Sequence, residues 1–97
     1  MRRRDRRESK RPRDRPKISY DILCSIMKQE KSIGTAKITR VQNEVNLPSD
    51  RFRVYLKDMN AIGLLEHRDG LASTKKGRSF VSEYKEVVRV LRRFGVD

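Results

Sequence analysis

The stretch RFRVYLKD places Arg51, Arg53 and Lys57 close together, with an apolar Val54 among them. Those residue types point to nucleic-acid contact. An arginine can read guanine bidentately through O6 and N7, and a valine can touch a thymine methyl. Ser49, just upstream, and the N–H groups of a helix's first turn can hold a phosphate. Asp50 and Asp58 argue against a surface that works by charge alone and suggest selectivity in geometry. The plainer alternative is a solvated helix face. Against it stand a tight connection before the helix, an outward Val54 with no packing reason, and basic neighbours.

These side chains need a helix to present them, and the spacing predicts one over 50–62. Phe52, Tyr55, Leu56, Met59 and Ile62 share its inward face. At about 100° per residue, the opposite arc holds Arg53, Lys57, Asp50, Ala61 and Val54, with Arg51 on a shoulder. The helix before it runs through AKITRVQNEV, with Thr35 as N-cap candidate. Ile38, Val41 and Val45 face inward there, while Lys37, Arg40 and Glu44 face out. Asn46 suits a left-handed helix end, Leu47 buries in the turn, Pro48 stops continuation, and Ser49 caps the next helix. A helix-turn-helix places the N-terminal half of its second helix in the major groove. Ser49, Arg51, Arg53, Val54 and Lys57 are therefore the candidate readers, with Thr35, Lys37 and Arg40 as candidate contacts from the preceding helix.

An earlier helix, roughly 17 to 29, carries Ile18, Ile22, Leu23 and Ile26 on one broad face and Tyr20, Cys24 and Met27 on a second apolar line. Ile33 anchors a short extended segment after it. Downstream, Gly63 stops the reading helix, and LLEHRDGLAS forms two short strands around Asp69-Gly70, a two-residue hairpin signal. His67 and Arg68 sit at its tip, where Arg68 can meet a minor groove or a phosphate; a plain solvent-exposed turn is the alternative. Thr74 caps a last helix of about 75–94, on the order of 30 Å long. The predicted class is mainly α with a small β-hairpin (α+β), a winged helix-turn-helix, over residues 17–97.

Residues 1–16 are a different material. Residues 1–17 hold ten Arg or Lys, three acids and no apolar side chain beyond Met1, which is +7 of the chain's formal +12. A segment that cannot bury anything is expected to be a disordered basic arm. Arg2, Arg3, Arg4, Arg6, Arg7, Lys10, Arg11, Arg13 and Arg15 are its candidate nucleic-acid contacts, sequence-independent and salt-sensitive. A solubilising tail is the other reading. The overall charge favours nucleic acid first, then an acidic membrane or protein.

In the last helix Phe80, Tyr84, Val87, Leu91 and Phe94 are spaced 4, 3, 4 and 3, a heptad seam with Val81 and Val88 beside it. The expectation is a homodimer through this seam; folding back onto the first helix of the same domain is the alternative. A lone Cys24 excludes an intramolecular disulfide and suits a reducing cytoplasm. One histidine and one cysteine make no metal site, so neither metal nor cofactor is expected. No stretch approaches the roughly 20 apolar residues of a membrane span, and no apolar h-region follows the arm. No catalytic constellation is visible, and the glycines are scattered at turns, so an enzyme is not expected.

The run TRVQNEVNLPSDRFRVYLKDMNAIGLLE, followed by STKKGRSFVSEY, resembles the archaeal winged-helix DNA-binding proteins typified by the small ten-kilodalton chromatin protein of Sulfolobus. The matching positions are Thr39, Arg40 and Val41; Asn46 and Leu47; Tyr55 and Leu56; Gly63 to Leu65; and Thr74 with Gly77. The resemblance spans roughly 17–94. It implies a cytoplasmic, chromosome-associated archaeal protein that regulates transcription or organises DNA and dimerises through its last helix. Pro48 stands where the family has Ser, and Ser73 replaces the Leu before Thr74, weakening the wing's inner strand. The helix ends soon after Phe94, which points to a short interface, and the arm lies outside the family pattern. RNA or ribosome association through the arm, and a protein-binding winged helix using Val54 and Tyr20, are the competing expectations.

Overall fold

Pro16 reads as the end of the arm, yet it lies in the first turn of a helix. The computed structural model describes residues 14–96. Helix α1 runs Arg15–Ile33, and its N-cap Asp14 accepts the Lys17 N–H at 3.0 Å. Proline is harmless there because the N–H it lacks would have no helical partner. The expected 17–29 helix is therefore longer at both ends, and Arg15 belongs to it rather than to the arm. Gly34 ends it at φ 84°, the left-handed region, with its N–H on Glu30 O. Ile33 is still helical and half exposed, so it does not anchor the extended segment.

Ala36 takes that part. It is fully buried and its carbonyl accepts the Leu71 N–H at 2.9 Å, an isolated bridge to the hairpin. This bridge holds the chain extended past Thr35, which does not cap. Helix α2 begins at Ile38 (Ile38–Val45), with Lys37 in the cap position and no side-chain cap bond. Asn46 closes it at φ 59°, and Leu47 buries in the turn as its position implies.

Helix α3 is Ser49–Ala61 and Pro48 occupies its cap position, so Ser49 is helical and does not cap. Its hydroxyl is held instead by Gln42, whose Nε2 donates to Ser49 Oγ at 2.9 Å and to Leu47 O at 3.2 Å. One side chain thereby ties the last turns of α2 to the first of α3. Phe52, Tyr55, Leu56 and Met59 are buried, but Ile62 is 55% exposed. The helix stops at Ala61, so Ile62 (φ −94°, ψ 4°) no longer follows the inward face. Gly63, at φ 84°, turns the chain into the wing.

The wing pairs β1 (Leu65–His67) with β2 (Leu71–Ser73), antiparallel, with His67 opposite Leu71. Its loop is thus 68–70, not a two-residue turn on Asp69-Gly70. Gly70 is needed for proximity: a Cβ there would lie 2.9 Å from Ala36 O. Helix α4, Lys75–Arg93, starts at Thr74, whose Oγ1 accepts the Gly77 N–H at 3.0 Å and donates to Gly63 O. A Cβ on Gly77 would sit 2.1 Å from Leu64 O, so glycine is what lets α4 lie against the end of α3.

Ile18, Ile22, Leu23 and Ile26 of α1 form the floor of the core, met by Val41, Val45, Phe52, Leu56, Leu65 and Leu71. Tyr20, Cys24 and Met27 pack partly against it, the second apolar line of the sequence. Helix α4 sends in only Val81 fully, with Phe80 partly buried. Burial of a large aliphatic side chain contributes about 1.5–3 kcal/mol, so α1 and α3 hold this fold and the far half of α4 adds little to it.

Candidate nucleic-acid interface

With its core face locked down, α3 presents Arg51, Arg53, Val54 and Lys57 to solvent, Val54 at 54% exposure. Among the described residues the side chains of Arg51, Arg53 and Lys57 have no ion-pair partner. A few cations elsewhere do: Lys17 pairs with Asp21, Lys28 with Glu44 and Arg89 with Glu86. Asp58 does not oppose the basic arc, because Arg15 takes its carboxylate at 3.1 Å. Asp50 accepts the Arg51 N–H at the start of the helix.

Lys37, at the cap of α2, and Arg40, on it, are exposed and likewise without an ion-pair partner among the described residues. Thr35 is not on that helix but beside the wing, its Oγ1 3.7 Å from where a Gly70 Cβ would be. His67 and Arg68 are exposed on the hairpin, the Arg68 N–H donating to Gly70 O across the loop. Arg2, Arg3, Arg4, Arg6, Arg7, Lys10, Arg11 and Arg13 lie outside the described residues. Arg15 is not a free contact, since its guanidinium also lies 5.0 Å from the Tyr55 ring centre.

The wing is held from behind by a residue that no local pattern marks. Glu30 of α1 accepts the Ser73 N–H at 3.0 Å and the Ser73 hydroxyl at 2.7 Å, and Arg78 donates to Ser73 O and Oγ. Ser73, which reads as a weakened strand position, is therefore a polar tie to α1. A second tie joins α1 to α2. Buried Gln29 donates to Ser25 Oγ and accepts the Lys37 N–H, while Ser25 donates to Glu44. That hydroxyl, with Lys28 beside it, holds the Glu44 carboxyl below its ordinary value.

The heptad seam divides. Phe80 packs against the core, and Tyr84 stacks on Tyr20 of α1, with ring centres 4.7 Å apart. Burial, with a hydrogen bond to Cys24 second, pushes the Tyr20 phenol up to about 12. The near half of α4 thus folds back onto its own domain. Val87, Leu91 and Phe94 remain at 54, 40 and 73% exposure, joined by Val90 and Val96.

Among the described residues, no cluster of three His, Cys, Asp or Glu could hold a metal ion, and no helix is long and apolar enough to cross a membrane. Two helices joined by the tight Asn46–Pro48 turn, followed by a hairpin and a long helix, define a winged helix-turn-helix. The winged helix-turn-helix family model matches residues 12–92, and the chain belongs to that family. Domains of this class are typically non-enzymatic modules that bind DNA. Comparison with curated proteins finds no match.

Proposed function

We propose that the chain is a double-stranded DNA-binding transcription regulator that acts on the chromosome as a homodimer. The N-terminal half of α3 enters the major groove, where Arg53 and Val54 address base edges and Arg51 and Lys57 the adjacent backbone or bases. The observation that carries this reading is the exposed basic arc of α3, Arg51, Arg53 and Lys57 around an exposed Val54, on the second helix of a helix-turn-helix. The Ser49 oxygen accepts from Gln42, which leaves its proton to donate to a phosphate. Lys37 and Arg40 flank the same groove. His67 and Arg68 on the wing meet backbone or minor groove, and residues 1–13 add sequence-independent affinity. Val87, Leu91 and Phe94 supply the two-fold contact that doubles the reading head.

Fluorescence anisotropy with duplex DNA and with RNA of equal length, over a series of salt concentrations, tests this. The reading expects tighter duplex binding that is lost in an Arg53→Ala, Lys57→Ala double variant. RNA preferred, with the double variant unaffected, would overturn it and leave the arm as the binding element.

A further inference from the structure

Helices α1 and α4 pack antiparallel, with Leu23 against Gly77 and Tyr20 stacked on Tyr84. Beside that stack, where the start of α1 meets the far half of α4, they leave a cleft of about 450 Å³. Lys17 stands on the α1 wall and Lys85, Arg89 and Arg92 on the α4 wall, and no acid lines the cleft among the described residues. Lys17 and Arg89 pair with Asp21 and Glu86, at 3.1 and 3.0 Å, while Lys85 has no ion-pair partner among the described residues. The apolar part of the lining is built in. Tyr20 and Tyr84 hold each other with ring centres 4.7 Å apart, Val88 is half-buried next to them, and the Lys17 ammonium lies 5.3 Å from the Tyr20 ring centre.

We infer that this cleft binds a small ligand carrying a diphosphate group. Its volume falls in the range of roughly 300–1,000 Å³ typical of small-molecule sites. Lys85, Arg89 and Arg92 spread over about 10 Å of α4 at 1.5 Å per residue, with Lys17 across from them. Two linked phosphoryl groups reach both walls, whereas a single carboxylate engages one. Arginine grips phosphate oxygens in pairs and lysine meets them as a point charge. The cleft is not an extension of the α3 surface. At about 100° per residue, Lys17 lies about 160° round α1 from Arg15, whose guanidinium touches Asp58 of α3. Nor does it coincide with the exposed apolar stripe. Val87, Leu91 and Phe94 lie about 60–120° round α4 from Val88, on the side away from Lys85, Arg89 and Arg92, so a second copy seated there leaves the cleft open. The diphosphate can come as inorganic pyrophosphate or within a nucleoside diphosphate, for whose planar base Tyr20, Tyr84 and Val88 form an apolar wall.

The test is calorimetric titration of the full chain with ADP and, separately, with inorganic pyrophosphate, in metal-free buffer at about 150 mM salt. Tyrosine emission is a second readout, since the chain has no tryptophan and two of its three tyrosines line the cleft. Two double variants remove the same charge from different places: Lys85→Gln with Arg89→Gln in the cleft, and Arg53→Gln with Lys57→Gln on α3. All four side chains are exposed, so both variants keep the core. Saturable binding to one site is expected, weakened about tenfold or more by the cleft pair and less than about twofold by the α3 pair. ADP binding more tightly than pyrophosphate supports the site with a nucleotide as its source, and equal affinity supports it with the diphosphate alone. Equal weakening by the two pairs would show attraction to net charge rather than a site, and would overturn the inference. So would the absence of saturable binding to either compound up to about 1 mM. Displacement of the bound diphosphate by duplex DNA would make the cleft one more nucleic-acid surface and would overturn it as well.

Discussion

Arg53 and Lys57 sit on one arc of α3, yet their losses should be felt differently. Arg53→Ala should cost about 1–3 kcal/mol at a preferred site and relax the preference there. Lys57→Ala should weaken all duplexes about equally and lower the salt slope by about one. Competition titrations with matched and scrambled duplexes separate the two; an Arg53→Ala loss equal on both would make that residue a phosphate contact. A pH prediction belongs at the same scale. Glu44 is held below its ordinary value of 4.5 first by Ser25 and then by Lys28. A lowered folded value means stability that is present above 4.5 and drains away as pH falls through the folded value. Melting curves from neutral pH downward should therefore show a shallower acid loss in Glu44→Gln, and identical slopes would refute the assignment. Which side chains face outward was legible, because helical period alone separates Arg53 and Lys57 from Phe52 and Leu56. What those side chains touch was not. Arg15 looked like one more arm cation because its partners, Tyr55 and Asp58, are distant in sequence.

Among the elements, signals that act within a few residues were readable: Asn46 in its left-handed role, Thr74 as a cap, Gly63 as a stop. Those that depend on a remote strand were not. Thr35 has cap chemistry, but the Ala36 bridge to Leu71 keeps the chain extended beyond it. The Asp69-Gly70 pair has turn chemistry, but Gly70 serves the approach to Ala36, and the loop gains a residue. Ile62 lost its inward place because the helix ended one residue sooner than its pattern suggested. The joint between α3, the wing and α4 yields a direct prediction. Gly77→Ala pushes a methyl to 2.1 Å from Leu64 O, a clash with backbone that cannot swing aside. It should destabilise the fold by about 3 kcal/mol, the upper end for overpacking. Denaturant titration checks this, and a loss below about 1 kcal/mol would mean that α4 is less tightly seated than its position indicates.

At the scale of the molecule, the two halves of α4 have different surroundings. Its near half packs on α1 through Val81, Phe80 and the Tyr20–Tyr84 stack, which is the alternative the heptad left open. Its far half and the residues just past its end leave Val87, Leu91, Phe94 and Val96 exposed, a stripe better suited to a second copy than to water. Light scattering should give a dimer for the wild type and a monomer for Leu91→Asp, with the Leu91→Asp fold intact because that side chain is outside the core. A wild-type monomer at micromolar concentration would end the two-fold reading. The claim on which everything else depends is that α3 reads duplex DNA. Its most direct test is selection of bound fragments from random duplexes at about 150 mM salt, with the wild type and with Arg53→Ala. An enriched pair of half-sites related by two-fold symmetry is expected, blurred at one or two positions in the variant. No enrichment, or the same enrichment from both proteins, would contradict it.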